Sequence, residues 1–196
     1  MSRKIITENV GSFYQHYPRM AIVVSAAFSG KENAMTVAWH MPMSKDPPLF
    51  AFVTGTGHYT YKLIKQSGEF AINILPESHA ELVAAIGGSK GENCDKFATY
   101  GIQKDKPVKT SAPVLADAYA AFECRVVEEK VYDGHSMITG EVLATHLKEG
   151  AFWEDGTLNL EKTLPVLYMG CEQYLNIQQA NVRTLKRDVY AEELKL

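Results

Sequence analysis

Two long runs, "AFECRVVEEKVY" and "HSMITGEVLATHL", are joined by the dipeptide Asp133-Gly134, and that junction limits the architecture more than any other stretch of the chain. Asp-Gly readily takes the positive backbone angles of a two-residue turn, so residues 121–132 and 135–147 are expected to pair as a long antiparallel ribbon. Phe122, Cys124 and Val126 alternate with Glu123 and Arg125, which is the period of a sheet buried on one face. So long a ribbon has exposed edges, and the rest of the chain must cover or close them.

Three further runs rich in β-branched residues, "MAIVVSAAF" (20–28), "LFAFVT" (49–54) and "FAINIL" (70–75), read as strands. Between them the patterns predict two short helices. One covers about 60–66 and is stopped by Gly68; the other covers about 79–86, with Ser78 as cap and Gly87-Gly88 as terminator. "QKDKPVKTSAPVLADA" (103–118) reads as a long loop, and the charged tail from Asn181 as a surface helix or a frayed end. Closely spaced strands with few helices point to a mainly β fold, a closed or nearly closed barrel, because closure removes the strand edges. A chain of 196 residues, 46% hydrophobic, is long enough for one core, so residues 1–196 are expected to form a single domain.

Charge and motifs narrow the chemistry. A formal charge of −3 from 20 basic and 23 acidic residues, without long blocks, gives no footprint for nucleic acid and no polybasic membrane patch. Three cysteines, Cys94, Cys124 and Cys171, stand far apart and in odd number, which suits a reducing compartment. The N-terminus lacks an apolar signal core and no stretch approaches the about 20 apolar residues of a membrane span, so a cytoplasmic protein is expected. GxGxxG after a strand, GxxxxGK[ST], HExxH and GxSxG are all missing. The six histidines have no metal-ligand spacing, and no metal is expected.

What remains is a series of polar and aromatic residues near strand ends. In "ENAMTVAWHMPMSKDPPLF", a strand over 33–39 sets Asn33, Met35, Val37 and Trp39 on one face and Ala34, Thr36, Ala38 and His40 on the other. A flat heteroaromatic ligand suits such an edge; plain core packing suits Met35 and Trp39 as well. Ser44-Lys45-Asp46 before Pro47-Pro48 reads as a stiff turn whose hydroxyl, cation and amides fit a phosphate, or as a solvated turn. His58, Thr60 and Lys62 stand at the start of a predicted helix, where free amides favour an anion, though Thr60 alone also reads as a cap. "GGSKGENCDKF" gathers Ser89, Lys90 and Lys96 in a Gly-rich segment, and His135 sits at the ribbon tip.

In chain order, "NAMTVAW" (33–39), "PMSKDPPLFAF" (42–52), "HYTYKLIKQSGEFAINIL" (58–75), "DKF" (95–97) and "DGHSMITGEV" (133–142) resemble the flavin reductase-like family. This is the FMN-binding split-barrel group that includes flavoredoxins and small NAD(P)H:flavin oxidoreductases, and the resemblance covers about residues 15–177. It implies a Greek-key split β-barrel with a few short helices, in a homodimer that encloses FMN near its interface. It also implies hydride transfer from NAD(P)H to FMN, then electron transfer to free flavin, a ferric complex or a protein acceptor. The flavin carries that chemistry, which accounts for the lack of a nucleophile or an acid–base pair. Carried onto this chain, the resemblance implies that Asn33, Met35, Thr36, Val37, Ala38 and Trp39 border the ring. Ser44, Lys45, His58, Thr60 and Lys62 supply the phosphate site, Asn73, Ser89, Lys90 and Lys96 lie further out, and His135 is the catalytic candidate near the nicotinamide or flavin. The part "KEGAFWEDGTLNLEKTLPVLYMGCEQYLNIQQ", with Tyr168-x-Gly170-x3-Tyr174, is closer to flavoredoxin-type members, so FMN as a held electron carrier and FMN as a dissociable substrate both stay open. Two rivals stand beside the enzyme: a flavin carrier inert to pyridine nucleotide, and a flavin-free split barrel in which Met35, Val37 and Trp39 are core.

Overall fold

The computed structural model describes residues 3–177 and 182; the tail expected to be a surface helix or a frayed end lies, but for residue 182, outside them. Its strands are β1 (Arg19–Met20), β2 (Ile22–Phe28), β3 (Lys31–Val37), β4 (His40–Lys45), β5 (Pro48–Gly55), β6 (Glu69–Ile74), β7 (Lys104–Asp105), β8 (Val114–Leu115), β9 (Ala120–Tyr132), β10 (His135–Leu147), β11 (Leu167–Gly170) and β12 (Gln173–Leu175). The helices α1 (Tyr59–Ser67), α2 (Ala80–Gly88) and α3 (Lys96–Thr99) are short, and no helix among the described residues is long and apolar enough to cross a membrane.

The expected ribbon forms. Gly134 takes φ 71° in the turn, and β9 and β10 pair from His135↔Tyr132 to Leu147↔Ala120, with register shifts at Thr139/Gly140 and Val142/Ala144. Each ribbon strand has an outer partner along only part of its length: β10 pairs β5 over His135–Glu141, and β9 pairs β6 over Ala120–Arg125. The ribbon therefore splays between two flanks, and the bulges supply the bend. Gly140 allows it, because a Cβ there would stand 2.4 Å from Phe70 Cζ.

The seven-stranded antiparallel sheet runs β3-β2-β6-β9-β10-β5-β4. Its two outermost strands, β3 and β4, are consecutive in the chain and separated only by Ala38 and Trp39. The sheet must therefore curl until its ends meet, and Val53 N–H donates to the Trp39 carbonyl (2.8 Å) at the join. This is the mainly β split barrel that the sequence predicts.

Alternation sorts the residues of β2 and β3 between two cores. Ile22, Val24, Met35 and Val37 fill the barrel with Phe52, Phe70, Ile138 and the apolar face of α1, while Val23 and Ala34 face outward to Val83 and Ile86 of α2 and Phe97 of α3. The expected strand over 20–28 divides at Ala21. Arg19 and Met20 instead pair with β11 in a three-stranded sheet with β12, and Ala21 N–H donates to the Val166 carbonyl (3.0 Å). Ser78 lies in a 3-10 turn before α2, whose N-cap position falls at His79 with no side-chain cap, and Gly87 and Gly88 belong to the last turn rather than stopping it.

Candidate functional site

A polar cleft of about 420 Å³ opens at the barrel rim between β3, the start of α1 and residues 86–92. Asn33, only 3% exposed, forms part of its floor. Asn33 Nδ2 donates to Thr60 Oγ1 (2.8 Å), whereas its Oδ1 has no hydrogen-bond partner among the described residues. A buried acceptor left unmet is unfavourable, so its presence in a cleft points to a ligand donor. Gly91 lets the loop come this close, since a Cβ there would stand 2.3 Å from Asn33 Nδ2. Thr36, on the other face of β3, donates from Oγ1 to the Val83 carbonyl (2.6 Å) and fixes α2 against the strand.

α1 forms the second wall. His58 occupies its N-cap position without a side-chain cap bond, and Gly57, His58, Tyr59 and Thr60 line the cleft. First-turn amides and the positive end of the helix dipole are thus available there to an anion. His58 Nδ1 lies 2.9 Å from Thr54 Oγ1, which also reaches Met35 Sδ (3.4 Å). Burial, then the charge of Lys96, then that of His135 lower the His58 pKa, so the imidazole is neutral near pH 7 unless an anion joins it.

The predicted cations have different positions. Lys90 lines the cleft, and Lys62 pairs with Glu92, another lining residue. Lys96 is only 3% exposed, and its Nζ donates to the carbonyls of Ala34 (2.8 Å) and Ile86 (2.7 Å). Its burial lowers its pKa, against an opposing effect of Cys94. Lys96 is thus a pin between β3 and the end of α2, where a positive charge also meets the negative end of the helix dipole.

Other predicted residues turn their polar atoms away from the cleft or lie apart from it. Ser89 lines it but turns its hydroxyl back to the Ala85 carbonyl (2.8 Å), and Val37 is in the barrel core. Asn73 is fully buried on β6; its Nδ2 donates to Ser25 Oγ (3.0 Å) and its Oδ1 accepts from Leu115 N–H (2.8 Å), so it is a core strut. Trp39 borders a separate apolar hollow of about 300 Å³. Its Nε1 donates to Tyr17 Oη (2.9 Å), and the His135 ring lies beside it at 5.7 Å between centroids. Ser44 and Lys45 are the last residues of β4, paired with Leu49 and Pro48, and the turn follows at Asp46-Pro47. From Pro48 to Gly55, where β5 reaches His58, is about 23 Å at the usual strand rise. Within one chain Ser44 and Lys45 therefore stand at the far end of β5 from the start of α1.

Three lining residues, Thr36, Gly87 and Gly88, are shared with a second compartment of about 500 Å³ that runs over Ala38 to Tyr168, Glu172 and Tyr174. Sequence reasoning had no signal for Thr54, Gly91 or Glu92, whose roles come from contacts across the fold. It singled out the Tyr168–Tyr174 pattern without assigning it a role in the site.

A splayed antiparallel barrel closed at a corner, with a polar rim cleft, is the split β-barrel class. The chain belongs to the flavin reductase-like domain family, whose model matches residues 14–174. An uncharacterized protein of Aeropyrum pernix is 30% identical over 155 residues, which is 79% of this chain and 58% of that protein. An FMN reductase (NADH) of Agrobacterium fabrum is 28% identical over 110 residues, 55% of this chain and 60% of the reductase. This chain thus spans less than two thirds of the length of either. The fold also matches an FMN-binding protein from Thermus thermophilus (TM-score 0.82, 24% identity, 94% of this chain and 100% of that one). It matches flavoredoxin from Methanosarcina acetivorans equally well (TM-score 0.81, 23% identity, 95% and 97%).

Proposed function

We propose that the protein binds FMN in the rim cleft and acts as a flavin-dependent oxidoreductase that takes hydride from NAD(P)H. The observation that carries this reading is the convergence of the uncapped start of α1, Lys90 and the partnerless Asn33 Oδ1 on one cleft. A phosphorylated ligand bearing hydroxyls suits all three, because a phosphate takes amides and a cation while a hydroxyl donates to Asn33. The volume, about 420 Å³, lies within the range of cofactor sites. The family, the FMN reductase relative and the FMN-binding structural neighbour support FMN as that ligand.

When bound, FMN supplies hydride acceptance and onward electron transfer. The chain's own residues do the rest. The first turn of α1 and Lys90 hold the phosphate, and His58 gains a proton as the anion arrives. Thr36 and Ala38 border the ring, and Lys96 keeps β3 and the end of α2 at fixed spacing. His135 stands on the donor side, beside Trp39 and within electrostatic reach of His58. Ser44 and Lys45 reach such a cleft only from a second copy, which agrees with a homodimer that shares its sites; a monomer in sedimentation would count against that arrangement.

The test is an absorption titration with FMN, followed by anaerobic addition of NADH or NADPH. Bound flavin that bleaches promptly supports the oxidoreductase, and bound flavin that stays oxidised supports the non-catalytic carrier. Absence of binding removes FMN from the site.

A further inference from the structure

The segment between α2 and α3 passes along the rim cleft with firm ends and a lightly tied middle. At one end Ser89 Oγ donates to the Ala85 carbonyl (2.8 Å). At the other, Asp95 caps α3 by accepting from Ala98 N–H (3.1 Å), and Lys96 is held by the carbonyls of Ala34 and Ile86. Residues 90–93 close a turn of their own, in which Asn93 N–H donates to the Lys90 carbonyl (3.0 Å). Among the described residues, the one hydrogen bond or ion pair that they make to another element joins Glu92 to Lys62 of α1, across the cleft. Lys62, and to a lesser degree Lys90, hold the Glu92 carboxyl below its usual range. Beneath this segment lies Asn33. A Cβ on Gly91 would stand 2.3 Å from Asn33 Nδ2 and 2.4 Å from Oδ1, so the Gly91 backbone rests on the side-chain amide yet leaves Oδ1 without a hydrogen bond.

A segment that covers a buried, unmet acceptor gains by moving off it, because lifting lets water or a ligand meet that acceptor. A ligand hydroxyl donating to Asn33 Oδ1 needs part of the space that Gly91 takes. We propose that residues 90–93 are a strap over the cleft, latched by Lys62–Glu92, that lifts to admit the flavin and closes again over it, so that this ion pair sets how fast FMN exchanges. The proposal rests on the reading that FMN occupies the rim cleft, and adds the regulation of that site. The latch suits the task. Its side chains are 50% and 53% exposed, and an ion pair so open to water is weak enough to break and remake readily. Gly88 and Gly91 give the backbone on either side of Lys90 the freedom to turn. A latched strap favours FMN as a held electron carrier, and an unlatched one favours FMN as a dissociable substrate.

Stopped-flow mixing of the protein with FMN at several concentrations, followed by flavin fluorescence, tests this: the slope of the observed rate gives association and its intercept dissociation. In Lys62→Gln and in Glu92→Gln both rate constants should rise about threefold, the scale of one exposed ion pair. Lys62→Gln is the decisive variant. It makes the mouth of the cleft more negative, so loss of electrostatic attraction alone would slow association, whereas loss of the latch speeds it. Gly91→Ala, whose Cβ does not fit against Asn33, should speed association with both charges in place. Lys62 and Glu92 are exposed, so their variants keep the test decisive if Gly91→Ala melts early. Association that is unchanged or slower in folded Lys62→Gln overturns the latch while leaving FMN binding intact. No binding by the wild type overturns the FMN reading itself, and the latch with it.

Discussion

Glu123 is the clearest case of a residue whose behaviour its neighbours decide. It is fully buried, which by itself would raise its pKa. Its carboxylate instead accepts from the amides of Val108, Lys109 and Thr110, from Thr110 Oγ1 and from His146, and these bonds hold the pKa down to about 2. A folded pKa below the unfolded value gives stability that is present above about pH 4.5 and is lost as pH falls through about 2. The contribution is on the order of 3 kcal/mol. Urea melts across that window should therefore fall steeply for the wild type and much less for Glu123→Gln. His58 gives a second pH dependence with the opposite sense. Its pKa is lowered in the free cleft and a bound phosphate raises it, so FMN should bind more tightly as pH falls from neutrality, and His58→Gln should flatten that slope in a fluorescence titration. None of this was legible from residue type. Asn73 and Lys96 look in sequence like Asn33 and Lys90, and only the direction each side chain takes makes Asn73 a core strut away from the cleft and ties the ammonium of Lys96, itself a lining residue, to backbone carbonyls.

Among the elements, local chemistry predicted well wherever it acts alone. Asp133-Gly134 fixed the ribbon and Gly68 ended α1, where its φ is 70° and its N–H closes on the Ile64 carbonyl (2.8 Å). Elements set by distant partners were harder to read. The break at Ala21 exists because Arg19 and Met20 pair with β11, almost 150 residues away in sequence, and no local pattern announces it. The bend of the ribbon depends on Gly140 in the same way. A Cβ there would stand 2.4 Å from Phe70 Cζ and 3.0 Å from Cys124 Cβ, so Gly140→Ala overpacks the barrel. A loss of about 1–3 kcal/mol is expected, read as a lower denaturation midpoint with an unchanged slope.

For the whole molecule, the proposed cofactor and the fold are linked. A ligand that binds only the folded chain stabilises it by about 2.7 kcal/mol at a hundred times its dissociation constant. FMN at that excess should raise the melting temperature by roughly 5–10 °C, and a calorimetric scan that does not move would argue against a preformed site. The closed barrel was foreseeable from strand spacing and the need to cover edges, whereas the separation of Ser44 and Lys45 from His58 was not, since it depends on which end of β5 each neighbour meets. The corner at Ala38-Trp39 also has a mechanical meaning. Because the hoop of strands is completed by the chain itself, a protease cut between those two residues would sever its clasp and leave β3 and β4 as loose margins, open to pairing with any neighbouring strand.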